Sequence, residues 1–119
     1  EFVVWAAKSK GWIFNYMNMK KYNDDKQLRD VWEFALCQGP QRIKGKDGRA
    51  AHPTQKPLEF MRRLIEMATN EKDLILDPFI GAGTTAVAAN QLKRKWIGIE
   101  SNPEYVKIAN KRISSKENL

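Results

Sequence analysis

The sequence predicts an α/β protein organised around one parallel β-α-β unit shaped for a nucleotide cofactor, and three observations in residues 74–100 carry that prediction. That stretch, LILDPFIGAGTTAVAANQLKRKWIGIE, runs from an apolar triplet through a glycine turn and an Ala-rich segment to a second apolar run ending on an acid. Leu74, Ile75 and Leu76 have the composition of a buried parallel strand. Gly81 and Gly83 allow the tight turn and close backbone approach that a bulky ligand needs. Residues 84–92, Ala-rich and apolar on one side, predict the crossover helix. Trp96, Ile97 and Ile99 form the next strand, with Glu100 at its carboxyl end. An acid about 20 residues past the glycines is where a ribose diol is usually held.

Gly81-x-Gly83-x-x-Ala86 also fits a dinucleotide fingerprint, a short pattern that recurs by chance. Asp77 argues against that cofactor. It lies at the strand end directly before the turn, where a dinucleotide would place its pyrophosphate, and a carboxylate there repels phosphate. The same position suits a ligand with positive charge, such as the ammonium and sulfonium of S-adenosylmethionine. Phe79 adds an apolar face beside the turn. The simpler alternative is that Asp77 only caps the turn that follows, as Asp often does before Pro.

The chain has 119 residues, enough for one domain or part of one, with 42% hydrophobic and 29% charged residues, a globular balance. No apolar run approaches the roughly 20 residues of a membrane span, and the start lacks a charged-then-apolar secretion signal. A lone Cys37, which cannot form an internal disulfide, reads as an ordinary buried thiol and makes a reducing cytoplasm the natural setting. One His and one Cys offer no metal cluster, so no metal is expected. A net charge of +7 suits a polyanion such as nucleic acid.

Upstream, Phe2–Ala7 and Trp12–Phe14 read as two strands, with Lys8-Ser9-Lys10-Gly11 as a hairpin turn. Residues 18–30 are polar without a clear period. Val31, Trp32, Phe34 and Leu36 predict an extended segment that Gly39-Pro40 ends. The loop that follows holds Arg42, Lys44, Lys46 and Arg49 with two glycines, a composition able to track a phosphate backbone and expected to be mobile without DNA; a solvated connector is the alternative. Pro57 opens a helix with Leu58, Met61, Leu64, Ile65 and Ala68 on its apolar face. Asn102 has N-cap character for a last helix, with Pro103 in its first position and Tyr105, Ile108, Ala109 and Ile113 along one stripe. The tail from Ser114 is polar and expected to fray.

Asp77-Pro78-Phe79-x-Gly81-x-Gly83-Thr84-Thr85, preceded by His52-Pro53-Thr54-Gln55-Lys56-Pro57, resembles the amino-group DNA methyltransferases of bacterial restriction–modification systems. The order of the two motifs resembles the circularly permuted beta class. The resemblance implies part of a Rossmann-like methyltransferase sheet: the cofactor β-α-β unit plus an antiparallel edge hairpin. Residues 1–119 would be the C-terminal portion of one methyltransferase domain, with 1–16 the edge hairpin, 38–52 the basic loop and 53–113 the cofactor-binding region. S-adenosyl-L-methionine is the implied cofactor and double-stranded DNA the implied partner.

By the same resemblance, Asp77 and Phe79 contact the methionine and adenosine portions, Gly81 and Gly83 line the turn, and Glu100 takes the ribose hydroxyls. His52, Thr54, Gln55 and Lys56 close over the methionine end, with Lys56 facing the cofactor carboxylate. Pro78, Thr84 and Asn102 complete the cofactor-binding set. For His52 a purely structural hydrogen bond is the alternative. The acid/polar-Pro-Pro-aromatic tetrad that grips a flipped base in this family is missing, since the sequence has no Pro-Pro pair. Asn102-Pro103-Glu104-Tyr105 is a near miss that reads as a helix start, so no catalytic residue is assigned. HPTQKP looks more like the adenine-N6 members than the cytosine-N4 ones. A dinucleotide-dependent oxidoreductase and a non-catalytic nucleic-acid-binding module with a vestigial pocket are the rivals. A chain starting at Glu1 without Met is expected to be a piece of a longer protein, completed by a missing N-terminal portion or by a homodimer that covers its strand edges.

Overall fold

Two strands, β1 (Leu74–Asp77) and β2 (Lys95–Gly98), pair in parallel with Leu74 opposite Lys95 and Asp77 opposite Gly98. The computed structural model describes residues 1–115, and around this pair lie α1 (Tyr16–Lys20), α2 (Leu58–Ala68), α3 (Thr84–Gln91) and α4 (Pro103–Ile113). Hydrogen bonding continues beyond the strands, from Ile99 N to Asp77 O at 2.9 Å and from Ile80 N to Ile99 O at 3.0 Å. Those two bonds fix the backbone on which the glycine turn is built.

Crossover helix α3 packs against α2, β2 and α4. Ala86, Val87, Ala88 and Ala89 are sealed from solvent, so the middle of this helix is buried on all sides and not on one only. Methyl side chains let three neighbours approach one helix closely. Ile65, Ala88 and Ala89 form the core, with Leu58, Met61, Ile75 and Trp96 packed against it. Trp96 stays satisfied there by donating its indole N–H to Asn90 Oδ1 at 2.9 Å.

β1 is not the fully buried strand its apolar triplet predicts. Burial alternates along both strands, and Leu74, Leu76, Ile97 and Ile99 are 61, 62, 50 and 54% exposed. Among the described residues, helices cover one face of the pair and nothing covers the other. Strand periodicity of two then turns every second aliphatic side chain outward.

The expected hairpin over residues 1–16 is also corrected. No strand forms there among the described residues, and α1 begins at Tyr16. The chain does fold back, since Trp5 meets Trp12 and Phe14 edge-on at 5.9 and 5.7 Å between ring centroids. A two-stranded ribbon alone is marginal in water, and here no further strand or helix stabilises its faces: Phe2 and Val4 are almost wholly exposed.

Residues 15–34 are instead anchored on α2. Asn15 Nδ2 donates to Glu66 O at 2.9 Å and to Thr69 O at 2.8 Å, while Asn15 N donates to Met67 O at 2.8 Å. The carbonyls at the end of a helix lack internal partners, so one asparagine closes the end of α2. The Arg63 guanidinium lies over Tyr22, Trp32 and Phe34 at 4.4, 5.3 and 4.5 Å, which holds the segment around Trp32, predicted as extended, to the same helix.

Beside that end, Glu66 accepts from Lys21 Nζ at 2.8 Å and from the Tyr22 hydroxyl. Burial alone would push the Glu66 carboxyl up, but the hydrogen bonds from Lys21 and Tyr22 outweigh it and hold the group below its ordinary value of 4.5. Burial, then the bond to Glu66, pushes the Tyr22 phenol up from its ordinary 10.0. A lowered acid stabilises the fold above its unfolded value and loses that contribution as pH falls through the folded one; a raised phenol contributes below its unfolded value and loses it as pH rises. Stability is therefore expected to sit on a plateau between about pH 4.5 and 10 and to decline on both sides of it. Tyr22→Phe should cost about 1–3 kcal/mol on the plateau and shrink the acid-side loss, read by urea unfolding at several pH values. An unchanged acid limb in the variant would refute the assignment.

Backbone hydrogen bonds close the basic loop on itself. Lys44 and Ala50 form an antiparallel bridge, Gly45 N donates to Arg49 O at 2.8 Å and Ala51 N to Ile43 O at 2.8 Å. Arg42, Lys44, Lys46 and Arg49 all project into solvent. Cys37 is buried, as its composition predicts. Among the described residues no helix is long and apolar enough to cross a membrane.

Candidate functional site

The carboxyl ends of β1 and β2 carry Asp77 and Glu100, and the glycine turn lies between them. Asp77 Oδ1 accepts from Phe79 N at 3.0 Å, so the turn-capping role is present. Its second oxygen accepts from the Thr85 hydroxyl at 2.5 Å. Glu100 Oε2 accepts from Gly81 N at 3.1 Å and Oε1 from Asn102 N at 2.8 Å. A carboxylate has about four acceptor positions, so each of these two acids, with two bonds made, keeps capacity for a ligand. The turn therefore has negative charge at both of its anchors.

Gly81 and Gly83 have φ of +52° and +80°, the left-handed region that favours glycine. Each also lies against a neighbour. A Cβ on Gly81 would come within 2.8 Å of His52 Nε2, and one on Gly83 within 3.1 Å of Ala109 Cβ. Gly83 is the N-cap of α3, and the adjoining Thr84 Oγ1 accepts from Arg112 Nη1 at 2.8 Å. Phe79 stands 86% exposed beside the turn, an apolar surface turned toward solvent. Pro78 is exposed next to it.

His52 is brought to the turn, its ring tilted at 57° to that of Tyr105 from α4 with 4.4 Å between centroids, and its Nδ1 accepts from Thr54 N at 3.3 Å. Gln55 faces the basic loop: Nε2 donates to Gln41 O at 2.7 Å and Oε1 accepts from Ile43 N at 3.0 Å. Lys56 Nζ pairs with Glu1 Oε1 at 2.5 Å, and the ammonium lowers the Glu1 carboxyl below its ordinary value. Asn102 caps α4, its Oδ1 accepting from Glu104 N at 2.9 Å. Asp77, Phe79, Gly81, Glu100 and His52 thus border one turn, whereas Gln55 and Lys56 are engaged elsewhere. Sequence reasoning gave Thr85 no role, although it closes the motif, and read Tyr105 as part of an apolar stripe once the Asn102–Tyr105 near miss was set aside.

A glycine turn with an acid at each anchor, at the carboxyl end of a parallel β-α-β unit, is a nucleotide-cofactor cradle of Rossmann type. The profile of the DNA methylase family, N6_N4_Mtase, matches residues 1–111, and the chain belongs to that family. Among curated proteins it is 46% identical over 117 residues to the type II methyltransferase M2.LlaDCHI of Lactococcus lactis subsp. cremoris and 43% identical over 115 residues to M.HinfI of Haemophilus influenzae. Those matches take in 96 and 95% of this chain but only 42 and 32% of the relatives' length. Among solved structures, the M1.HpyAVI–SAM complex superposes on 91% of this chain with a TM-score of 0.66 and 36% identity, using 46% of its own length. PvuII DNA methyltransferase, described as cytosine-N4-specific, superposes on 95% of this chain with a TM-score of 0.53 and 26% identity, using 30% of its length.

Proposed function

We propose that this chain is the S-adenosylmethionine-binding portion of a cytoplasmic DNA adenine-N6 methyltransferase of restriction–modification type. The observation that carries the proposal is the pair of carboxylates, Asp77 and Glu100, anchoring the two sides of one glycine turn. Phosphate is repelled from such a turn; a cation and a diol are attracted to it. The solved relative named as a SAM complex supports the same ligand. When bound, the cofactor supplies an electrophilic methyl for in-line attack by an amino nitrogen. This chain's residues hold and orient: Asp77 faces the cationic methionine end, Glu100 the ribose, and Phe79 the adenosine. Pro78, Gly83, Thr84 and Asn102 shape the backbone beneath, and His52 and Thr54 sit at the methionine side, with Gln55 and Lys56 joining them only on rearrangement. Calorimetric titration of the full chain is expected to show micromolar S-adenosylmethionine binding and none for NADH; the reverse result would sink the reading.

Target choice follows HPTQKP, which favours adenine; the similarity to a cytosine-N4-specific enzyme keeps cytosine as the second reading. Nucleoside analysis of DNA methylated by the polypeptide that carries this chain distinguishes N6-methyladenine from N4-methylcytosine. Double-stranded DNA is the proposed macromolecular partner, met by Arg42, Lys44, Lys46 and Arg49. Lys44→Ala with Arg49→Ala should weaken DNA binding uniformly across sequences and reduce the salt slope by about one for each phosphate no longer neutralised. An unaltered slope would leave the loop a solvated connector.

A further inference from the structure

We propose that Thr85 is a positioning residue for the methyl donor, acting by locking the Asp77 carboxylate in the orientation that receives the donor's cationic end. The inference rests on the proposed cofactor reading. Thr85 lies in the first turn of α3 and is 6% exposed, so its hydroxyl is shielded from water. It donates its one proton to Asp77 Oδ2 at 2.5 Å, while Phe79 N donates to Oδ1 at 3.0 Å.

These bonds engage both oxygens of the carboxylate. The terminal torsion of an aspartate is broad and roughly two-fold, so a carboxylate held at one oxygen swings readily. Phe79 N alone, belonging to an exposed turn residue, is that single hold. The hydroxyl of Thr85, fixed to a helix whose next four residues are sealed in the core, supplies the second. With both made, the lone pairs left on Asp77 point in set directions. Such preorganisation raises affinity by reducing what the ligand must order on binding.

Valine at this position keeps the volume and removes the donor; serine keeps the donor and removes a methyl. Binding of S-adenosylmethionine and of 5′-methylthioadenosine, which lacks the amino-acid end and the sulfonium, is measured by calorimetry on the full chain. Thr85→Val is expected to weaken S-adenosylmethionine by about five- to tenfold with 5′-methylthioadenosine unchanged, and Thr85→Ser to restore the first value. An equal loss for both ligands, or no loss for either, overturns the Thr85 assignment, because a merely structural tie would not discriminate between them. Should the unaltered chain bind neither ligand, the cofactor reading itself is refuted and Thr85 falls with it.

Discussion

Asp77→Ala is expected to weaken S-adenosylmethionine binding by about 10- to 100-fold, the equivalent of one charge-assisted contact of about 1.5–3 kcal/mol. Asp77 ends β1 and its oxygens already organise the turn through Phe79 N and the Thr85 hydroxyl. The alanine variant therefore removes a charge and loosens the turn together. Asp77→Asn separates the two effects, since the amide keeps the shape and an acceptor oxygen while losing the charge. If electrostatic selection dominates, Asn and Ala are similarly impaired; if capping dominates, Asn retains nearly all the affinity. Calorimetry on both variants decides, and wild-type affinity in the alanine variant would falsify the proposed role.

The largest stability effect is expected at Gly83. Its φ of +80° strains any side chain, and the space a Cβ would occupy is bounded by Ala109 Cα at 3.3 Å, backbone that cannot rotate away. Left-handed strain of about 1–3 kcal/mol adds to overpacking of about 1–3 kcal/mol. Gly83→Ala should then lose about 2 kcal/mol and Gly83→Val about 4 kcal/mol, read by denaturant or thermal unfolding. Against a typical total of about 5–15 kcal/mol, the valine variant would be close to unfolding at physiological temperature. Gly81 differs, because its nearest obstacle is the ring of His52, a side chain able to shift. An Ala at Gly83 as stable as glycine would show that α3 and α4 are free to separate.

The cofactor unit was readable because its signals are local. An apolar triplet, two glycines, an alanine run and a closing acid each act within a few residues of themselves, and β1, α3 and β2 form where those signals fall. Asn102 and Pro103 likewise mark the start of α4, and the cap bond is there. The failures lie where structure depends on distant partners. Leu74 and Leu76 carry no mark telling a strand covered on two faces from one covered on one. Trp5, Trp12 and Phe14 have strand propensity, yet a ladder needs neighbours that propensity does not supply. Asn15 reads as an ordinary polar residue until α2 presents three carbonyls to it across about 50 positions of sequence. In the site, the acids and glycines were evident from the motif, whereas the Thr85 bond and the His52–Tyr105 ring contact arise only once helices converge.

One carboxylate, that of Glu100, bridges Gly81 N and Asn102 N. Loop and helix origin consequently share a hinge pin: withdrawing Glu100 toward an incoming molecule tugs on both amides at once. Occupancy should be transmitted along α4 as a change in how readily its first turn frays, so a reporter placed far from the turn could sense what happens inside it.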